Sequence, residues 1–144
     1  MLAICYWLLA IGQDVTPPPI TAREIRRWEP AVKLPDTVDE KRIYGEYADL
    51  FGKLRLFRTG RYGIVDQDIS HGWVLGTARG TWELKGRQII LSPLKESGDL
   101  IGQRRTLDVV ECQEQFLLVA FEDRAGFVRN GPFEPGSCYM RGRH

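Results

Sequence analysis

Two stretches in which apolar and polar residues alternate on both sides of a glycine-containing turn constrain the fold of this chain most strongly. The first is KLRLFRTGRYGIV at residues 53–65, which turns at Gly60. The second is GTWELKGRQIILSP at residues 80–93, which turns at Gly86. Alternation at period two is typical of strands with one buried face, and glycine supplies the positive φ that a tight turn requires. Both stretches therefore predict β-hairpins.

A third hairpin is predicted nearer the C-terminus, after a loop at residues 95–102. Its first strand lies at residues 106–110, Gln113 and Glu114 form the turn, and the return strand is FLLVAF at residues 116–121. Because the return strand is continuously apolar, we expect both of its faces to be covered, one of them by a helix from the N-terminal part of the chain.

Short flanking strands at residues 43–47 and 138–140 bring the total to about seven or eight. We therefore predict a mainly β fold, an antiparallel meander that forms a small barrel or a strongly curled sheet, because closure or curling removes exposed strand edges. One short helix is predicted before the meander, with Thr21 and Glu24 as its capping box and Pro30 ending it. Ile25 and Trp28 lie on the face that we expect to dock on the sheet.

Composition divides the chain into three segments. Residues 1–20 combine the apolar run MLAICYWLLAI with a proline-rich linker, residues 21–42 hold the short helix and a connection, and residues 43–144 form the antiparallel β domain. The apolar run is too short to span a membrane but has the length of a signal-peptide core. Since no Lys or Arg precedes it, we predict either a weak or truncated export signal or a strand or helix that joins the core.

Charge and motifs argue against several function classes. Twenty Lys and Arg against 19 Asp and Glu leave a net charge of +1, which gives no global field to attract nucleic acid. Short basic pairs such as Arg104–Arg105 are expected to be solvated surface. Because no glycine-rich loop opens a helix and no Cys-x-x-Cys pair is present, we predict no cofactor and no metal ion.

The three cysteines allow one disulfide. Cys112 and Cys138 both lie in the C-terminal third, whereas Cys5 lies in the apolar run. In an exported protein, a bridge between Cys112 and Cys138 would add roughly 3 kcal/mol of stability. In the cytosol we expect both to be small buried side chains instead.

The strand and turn residues resemble those of small exported bacterial lipocalin-like proteins. The resemblance is carried by Ile43-x-Gly45-x-Tyr47, Leu54-x-Leu56, Gly60-x-Tyr62, Gly80-x-Trp82-x-Leu84-x-Gly86, Ile89-x-Leu91-x-Pro93, Phe116-Leu117-Leu118-Val119 and Phe127-x-x-Asn130-Gly131-Pro132-x-Glu134-Pro135. It covers residues 43–140 and implies a calyx-like fold and a periplasmic or secreted location, with the cytoplasm as the alternative. It implies no catalytic residues.

Aromatic side chains are the first candidates for ligand binding. Tyr47, Tyr62, Trp73 and Trp82 either line a pocket or form the core of the domain, and a domain of this size favours the core. His71 follows Asp66, Asp68 and Ser70, which suggests a metal or acid–base cluster. A turn capped by aspartate side chains accounts for the same residues more simply.

Arginines on or beside the strands are the second candidates. Arg55, Arg58, Arg61, Arg79 and Arg87 alternate with the apolar positions. They are either outward-facing charges that protect strand edges or a basic rim for an acidic protein partner or an anionic ligand.

Three functions follow from these observations. The first is a non-enzymatic, exported binding protein, of which an immunity or inhibitor protein is one version. The second is a carrier of a small apolar ligand, which requires an apolar cavity of about 300 Å³ or more. The third is a hydrolase or isomerase that uses His71. The sequence does not determine the oligomeric state.

Overall fold

The structure, a computed structural model, describes residues 16–142. Within that range the chain forms nine strands in one sheet. They are β1 (Val32–Lys33), β2 (Gly45–Ala48), β3 (Gly52–Leu56), β4 (Arg61–Gln67), β5 (Val74–Lys85), β6 (Gln88–Gly98), β7 (Thr106–Cys112), β8 (Gln115–Ala120) and β9 (Met140–Arg141).

Short helices precede and follow the main strands. Helix α1 (Ala22–Ile25) continues as a 3₁₀ turn (Arg26–Trp28), and a second 3₁₀ turn (Glu40–Arg42) leads to β2. After β8 a third 3₁₀ turn (Phe121–Asp123) opens helix α2 (Arg124–Asn130).

All three predicted hairpins are present, as β3–β4, β5–β6 and β7–β8. Gly60 and Gly86 have φ of +86° and +61°, which only glycine adopts without strain. The third turn has no glycine, and Gln113 and Glu114 take φ of +53° and +66° themselves.

The strands from β2 to β8 pair antiparallel in chain order, so the predicted meander is confirmed. The order across the sheet is β1-β7-β6-β5-β4-β3-β2-β9, and β8 pairs with the other edge of β7. The sheet is not closed into a barrel. A single bridge between Leu118 and Tyr139 links β8 to the residue just before β9, which pairs with β2.

Buried side chains form two clusters, one on each side of β8. Phe116, Leu118 and Ala120 belong to an inner cluster on the concave side of the sheet, and Leu117 and Val119 belong to an outer cluster. Both faces of β8 are therefore covered, as its unbroken apolar run predicts. Each fully buried aliphatic side chain contributes about 1.5–3 kcal/mol.

The N-terminal helix helps to cover the outer face of β8, as predicted. Thr21 and Glu24 form the capping box, in which the Thr21 side chain accepts the Glu24 N–H and the Glu24 carboxylate accepts the Thr21 N–H. Ile25 is buried in the outer cluster, and Trp28 Nε1 donates to the Val128 carbonyl at 2.8 Å.

Two predictions about secondary structure were wrong. Residues 95–98 belong to β6 rather than to a loop, because a register shift opposite Arg79 and Gly80 accommodates Pro93 and lets the strand continue. Phe121 leaves the sheet and begins a helical segment, because burying Phe127 in the outer cluster holds α2 against the sheet.

The apolar run with its predicted export signal lies outside the described residues, as do Cys5 and His144. The predicted segment boundaries at residues 20 and 42 stay predictions. The connection within residues 21–42 contributes strand β1, which pairs with β7. Among residues 16–142, no helix is long and apolar enough to cross a membrane.

Candidate functional site

The outer surface of the sheet is covered on one side and bare on the other. Helices α1 and α2 pack over β7 and β8, whereas most outward side chains of β3 to β6 are exposed. On the bare side, the strand register places four residues in one row. Arg55 lies opposite Gly63, Gly63 opposite Arg79, and Arg79 opposite Lys95. Since neighbouring strands are about 4.8 Å apart, three cations and one glycine lie in line across four strands.

Three residues of the row, Gly63, Arg79 and Lys95, line a groove of about 650 Å³, and Arg55 lies beside it at the edge of the row. The groove is lined by Phe57, Thr59, Arg61, Tyr62, Gly63, Arg79, Gly80, Leu94 and Lys95. A second depression of about 360 Å³ shares Gly63, Arg79 and Lys95 with it and extends along the strands past Val65 and Thr77. We call the two together the basic groove. Because the two depressions share three residues, together they form an elongated groove on the surface rather than a compact cavity.

Gly63 creates much of the space in the basic groove. A Cβ atom added at Gly63 would meet no other atom within 4 Å. A side chain at this position would stand between the two arginines that flank it in the row, so its absence opens the surface of the sheet there.

The cations in and beside the groove differ in whether a carboxylate in the described part of the chain pairs with them. Arg55 pairs with Glu46 at 3.4 Å. In contrast, no carboxylate among residues 16–142 lies within 4.0 Å of the cationic nitrogens of Arg61, Arg79 or Lys95. Guanidinium groups bind carboxylates through paired, charge-assisted hydrogen bonds. The arrangement can therefore bind an anionic partner.

Exposed apolar side chains flank these charges. Phe57 is 41% exposed and Leu94 is 76% exposed, and both line the groove. Leu94 projects because it is the extra residue at the register shift between β5 and β6. An occupant with both acidic and apolar groups would match this lining.

Three of the five candidate ligand-binding residues are core residues. Tyr47, Tyr62 and Trp82 belong to the inner cluster and are at most 7% exposed. The Tyr47 hydroxyl donates to the Ile43 carbonyl, and Trp82 Nε1 donates to the Phe57 carbonyl at 2.9 Å. Tyr62 also lines the basic groove, and burial, with the nearby Glu96 charge, raises the pKa of Tyr62 to about 12.

The other two candidates lie together on the exposed loop between β4 and β5. The rings of His71 and Trp73 stack at 4.5 Å between centroids, with 22° between their planes. Asp68 Oδ1 accepts the N–H groups of Ser70 and His71 at 2.7 and 3.1 Å, so this aspartate caps the turn. Within residues 16–142 no group of three or more His, Cys, Asp or Glu side chains is placed to hold a metal ion.

Asp66 takes part in a different cluster, around Arg104. The Arg104 guanidinium lies 2.8 Å from Asp123 and 3.9 Å from both Asp49 and Asp66, and it faces the Tyr139 ring at 5.2 Å. Burial raises the pKa of Asp49 and that of Asp66, although the Arg104 charge opposes both shifts. The expectation that Arg104 is solvated surface was wrong, because its side chain is only 13% exposed.

No local pattern in the sequence indicates the Arg104 cluster. Its three aspartates come from separate elements, the loop between β2 and β3 (Asp49), strand β4 (Asp66) and the third 3₁₀ turn (Asp123), and their meeting depends on the tertiary fold. The basic groove is partly visible in the sequence, since Arg61 and Arg79, which line it, and Arg55, which lies beside it, are among the predicted rim residues. Arg58 and Arg87 do not line the groove, and Lys95 had been assigned to a loop.

Cys112 and Cys138 are free thiols, and both are buried in the outer cluster. Burial raises the pKa of Cys138 to about 11, and its Sγ lies 3.7 Å from the Pro132 carbonyl oxygen. The disulfide that the sequence allows in an oxidising compartment stays a prediction.

Comparison of the chain with protein-family models, curated proteins and solved structures finds no match. The lipocalin-like resemblance therefore stays a prediction. The candidate site rests on its own geometry and charge.

Proposed function

We propose that this protein is a non-enzymatic binding protein that recognises an acidic, extended segment of another protein in the basic groove. The observation that carries the proposal is the row of Arg55, Gly63, Arg79 and Lys95 on the bare outer face. Two of its cations have no described ion-pair partner, and the glycine between the arginines leaves room for a bound chain. An acidic segment would supply the missing carboxylates.

The shape of the groove favours a protein segment over a compact ligand. The two depressions share three residues and together follow the outer face along and across the strands. Phe57 and Leu94 offer apolar contacts beside the cations, which suits a chain that carries both acidic and apolar side chains.

Two alternatives have weaker support. A carrier of a small apolar ligand would bind on the concave side of the sheet, where the side chains of the inner cluster already pack together. A hydrolase or isomerase would rely on His71, which is exposed and stacks on Trp73 beside an aspartate that caps a turn.

An exported immunity or inhibitor protein is the version of this function that we propose. Its support is the apolar run at residues 1–11 followed by Pro17, Pro18 and Pro19, the order of a signal segment and a linker. N-terminal sequencing of the protein recovered from its host tests the location. A mature chain that begins after the apolar run is expected, whereas an intact Met1 would contradict export by cleavage.

Binding of a labelled acidic peptide tests the groove. The probe is a fluorescein-labelled decapeptide of glutamates with one phenylalanine near each end, and the readout is fluorescence anisotropy. We expect saturable binding that weakens as salt rises, because the contacts are exposed charges. The double variant R79E/K95E should lose at least roughly tenfold in affinity, since two attractive charges become repulsive.

A charge-matched variant provides the control. Lys33 and Lys41 are exposed and lie outside the groove lining, so K33E/K41E makes the same change in net charge. This variant should bind within about twofold of the wild type. Equal loss in both variants, or equal binding of a lysine-rich decapeptide, would rule out the groove as a specific acidic-segment site.

A further inference from the structure

A second cleft lies between the two helical segments on the covered side of the sheet. It is open to solvent, has a volume of about 620 Å³ and is lined by Arg23, Glu24, Arg27, Phe121, Arg124, Ala125, Val128 and Arg129. We call it the interhelical cleft. It shares no lining residue with the basic groove.

Helical spacing gives this cleft an apolar floor. Ala125 and Val128 are three residues apart on α2 and so lie on the same face of that helix. Phe121, which is 49% exposed, adds an aromatic ring at the start of the preceding 3₁₀ turn. The floor therefore offers contacts to an apolar chain.

Arginines surround the floor from both helical segments. Arg23 and Arg27 are four residues apart, and Arg129 follows Val128 directly on α2. Arg27 Nη1 donates to the Arg129 carbonyl oxygen at 3.3 Å, which brings the two segments together. The rim of the cleft thus carries arginines from both segments, together with one carboxylate, that of Glu24, which lies 3.7 Å from Arg124.

Of the four arginines that line the cleft, only Arg124 pairs with a carboxylate of the described residues. Arg124 lies 3.7 Å from the Glu24 carboxylate and 3.4 Å from that of Asp108, so its charge is neutralised within the protein. In contrast, Arg23, Arg27 and Arg129 have no carboxylate within 4.0 Å in the described part of the chain. Three positive charges therefore surround an apolar floor.

We propose that the interhelical cleft binds a single-chain anionic amphiphile, with the apolar tail on the floor and the head group at the arginine rim. The volume lies within the roughly 300–1,000 Å³ of small-molecule sites. Guanidinium groups bind a carboxylate head through paired hydrogen bonds, and the floor excludes water from the tail. This site is independent of the acidic-segment function of the basic groove.

Calorimetric titration of the full chain with dodecanoate, below the concentration at which it forms micelles, tests the proposal. We expect saturable binding at one site. Acetate, which keeps the head group without the tail, and dodecyltrimethylammonium, which keeps the tail with the opposite charge, should give none. Equal binding of either of these compounds would overturn the proposal, as would a lack of saturable binding of dodecanoate.

Two variants change the cleft in different ways. R23E/R129E reverses the rim charge, and A125W fills the floor without changing any charge. Each variant should weaken the affinity for dodecanoate at least roughly tenfold. Thermal unfolding of both variants checks that they remain folded, and the floor variant keeps the test decisive if the rim variant does not fold.

The control K53E/K85E makes the same charge change at two exposed residues outside the cleft. It should bind dodecanoate within about twofold of the wild type. Loss of binding in this control, or wild-type affinity in A125W, would overturn the proposal. The acidic decapeptide used for the basic groove provides one further outcome. If R23E/R129E abolished the binding of that peptide, the cleft would be a site for a protein segment, and the amphiphile proposal would be overturned.

Discussion

Gly63 lies directly opposite Arg79 in the ladder between β4 and β5, and the side chain that Gly63 lacks would occupy the space beside that guanidinium. The same glycine lies opposite Arg55 on its other side. A single residue thus separates two arginines and keeps the outer face of the sheet open between them. Access to the positive charges of the groove therefore depends on the absence of a side chain at Gly63.

Filling that space should block binding without weakening the fold. Gly63 has ordinary strand dihedral angles and open surroundings, and glycine within a strand costs roughly 0.5–1 kcal/mol relative to residues with a side chain. We expect G63V to have an equal or higher free energy of unfolding in urea and to lose most of its affinity for the acidic peptide. Unchanged peptide binding in a folded G63V protein would contradict the groove assignment.

Gly80 provides the contrasting control on the neighbouring strand. A Cβ atom there would clash with the Ser92 carbonyl oxygen, so the backbone of β6 would have to move. G80V should therefore lower the free energy of unfolding, in contrast to G63V.

Removing the charge of Arg104 should destabilise the protein in a pH-dependent way. Asp49, Asp66 and Asp123 surround this guanidinium, and its loss would leave buried carboxylates without a counter-charge, at a cost of about 3–5 kcal/mol near pH 7. The measurement is urea unfolding of R104Q and wild type at pH 7 and at about pH 4.5.

The sign of the pH effect follows from the raised pKa values of Asp49 and Asp66. A carboxyl whose pKa is higher in the folded state than in the unfolded state binds its proton more tightly when folded. The contribution of these groups to stability therefore falls as pH rises through the folded pKa. Loss of Arg104 raises both pKa values further, so the deficit of R104Q should be smaller in acid. An equal deficit at both pH values would refute this account.

R105Q, which removes an exposed ion pair with Glu96, should cost less than about 1 kcal/mol.

Leu118 should be one of the most sensitive core positions. Its side chain is fully buried in the inner cluster. Its N–H donates to the Tyr139 carbonyl oxygen at 3.0 Å, and the Tyr139 N–H donates to the Leu118 carbonyl oxygen at 2.8 Å. L118A should lower the free energy of unfolding by about 2–5 kcal/mol, because it leaves a cavity. L94A, at a position 76% exposed, should change it by less than about 0.5 kcal/mol. Similar losses for the two variants would mean that Leu118 is not packed in the core.

Thiol titration should distinguish free cysteines from a bridge. In a reduced C5S protein, Cys112 and Cys138 should react slowly with a thiol reagent at pH 8 and rapidly in urea, because both are buried and the pKa of Cys138 is about 11. Rapid reaction of both thiols in the native protein would contradict their burial. Protein recovered from its host should lack reactive thiols at these two positions, even in urea, if the disulfide has formed.

Local sequence was sufficient for the hairpins, the doubly covered β8 strand and the cap of α1. Alternation around Gly60 and Gly86 requires one buried face on each strand, and the unbroken apolar run at residues 116–121 requires two. It was insufficient for α2, whose seven residues carry only a weak helical pattern and are held by the packing of Phe127. It was also insufficient for residues 95–98, where Pro93 suggested an end to the strand.

The sequence by itself determined the strands, their turns and the face that each strand buries, because those properties depend on neighbouring residues and on a period of two. Only the tertiary structure decided which outward residues share a row, since the row from Arg55 to Lys95 depends on the register of three successive strand pairs. The same holds for Arg104, whose partners come from a loop, a strand and a 3₁₀ turn that only the fold brings together. Charge that is dispersed along the chain thus becomes a groove or a buried cluster only through contacts between distant residues.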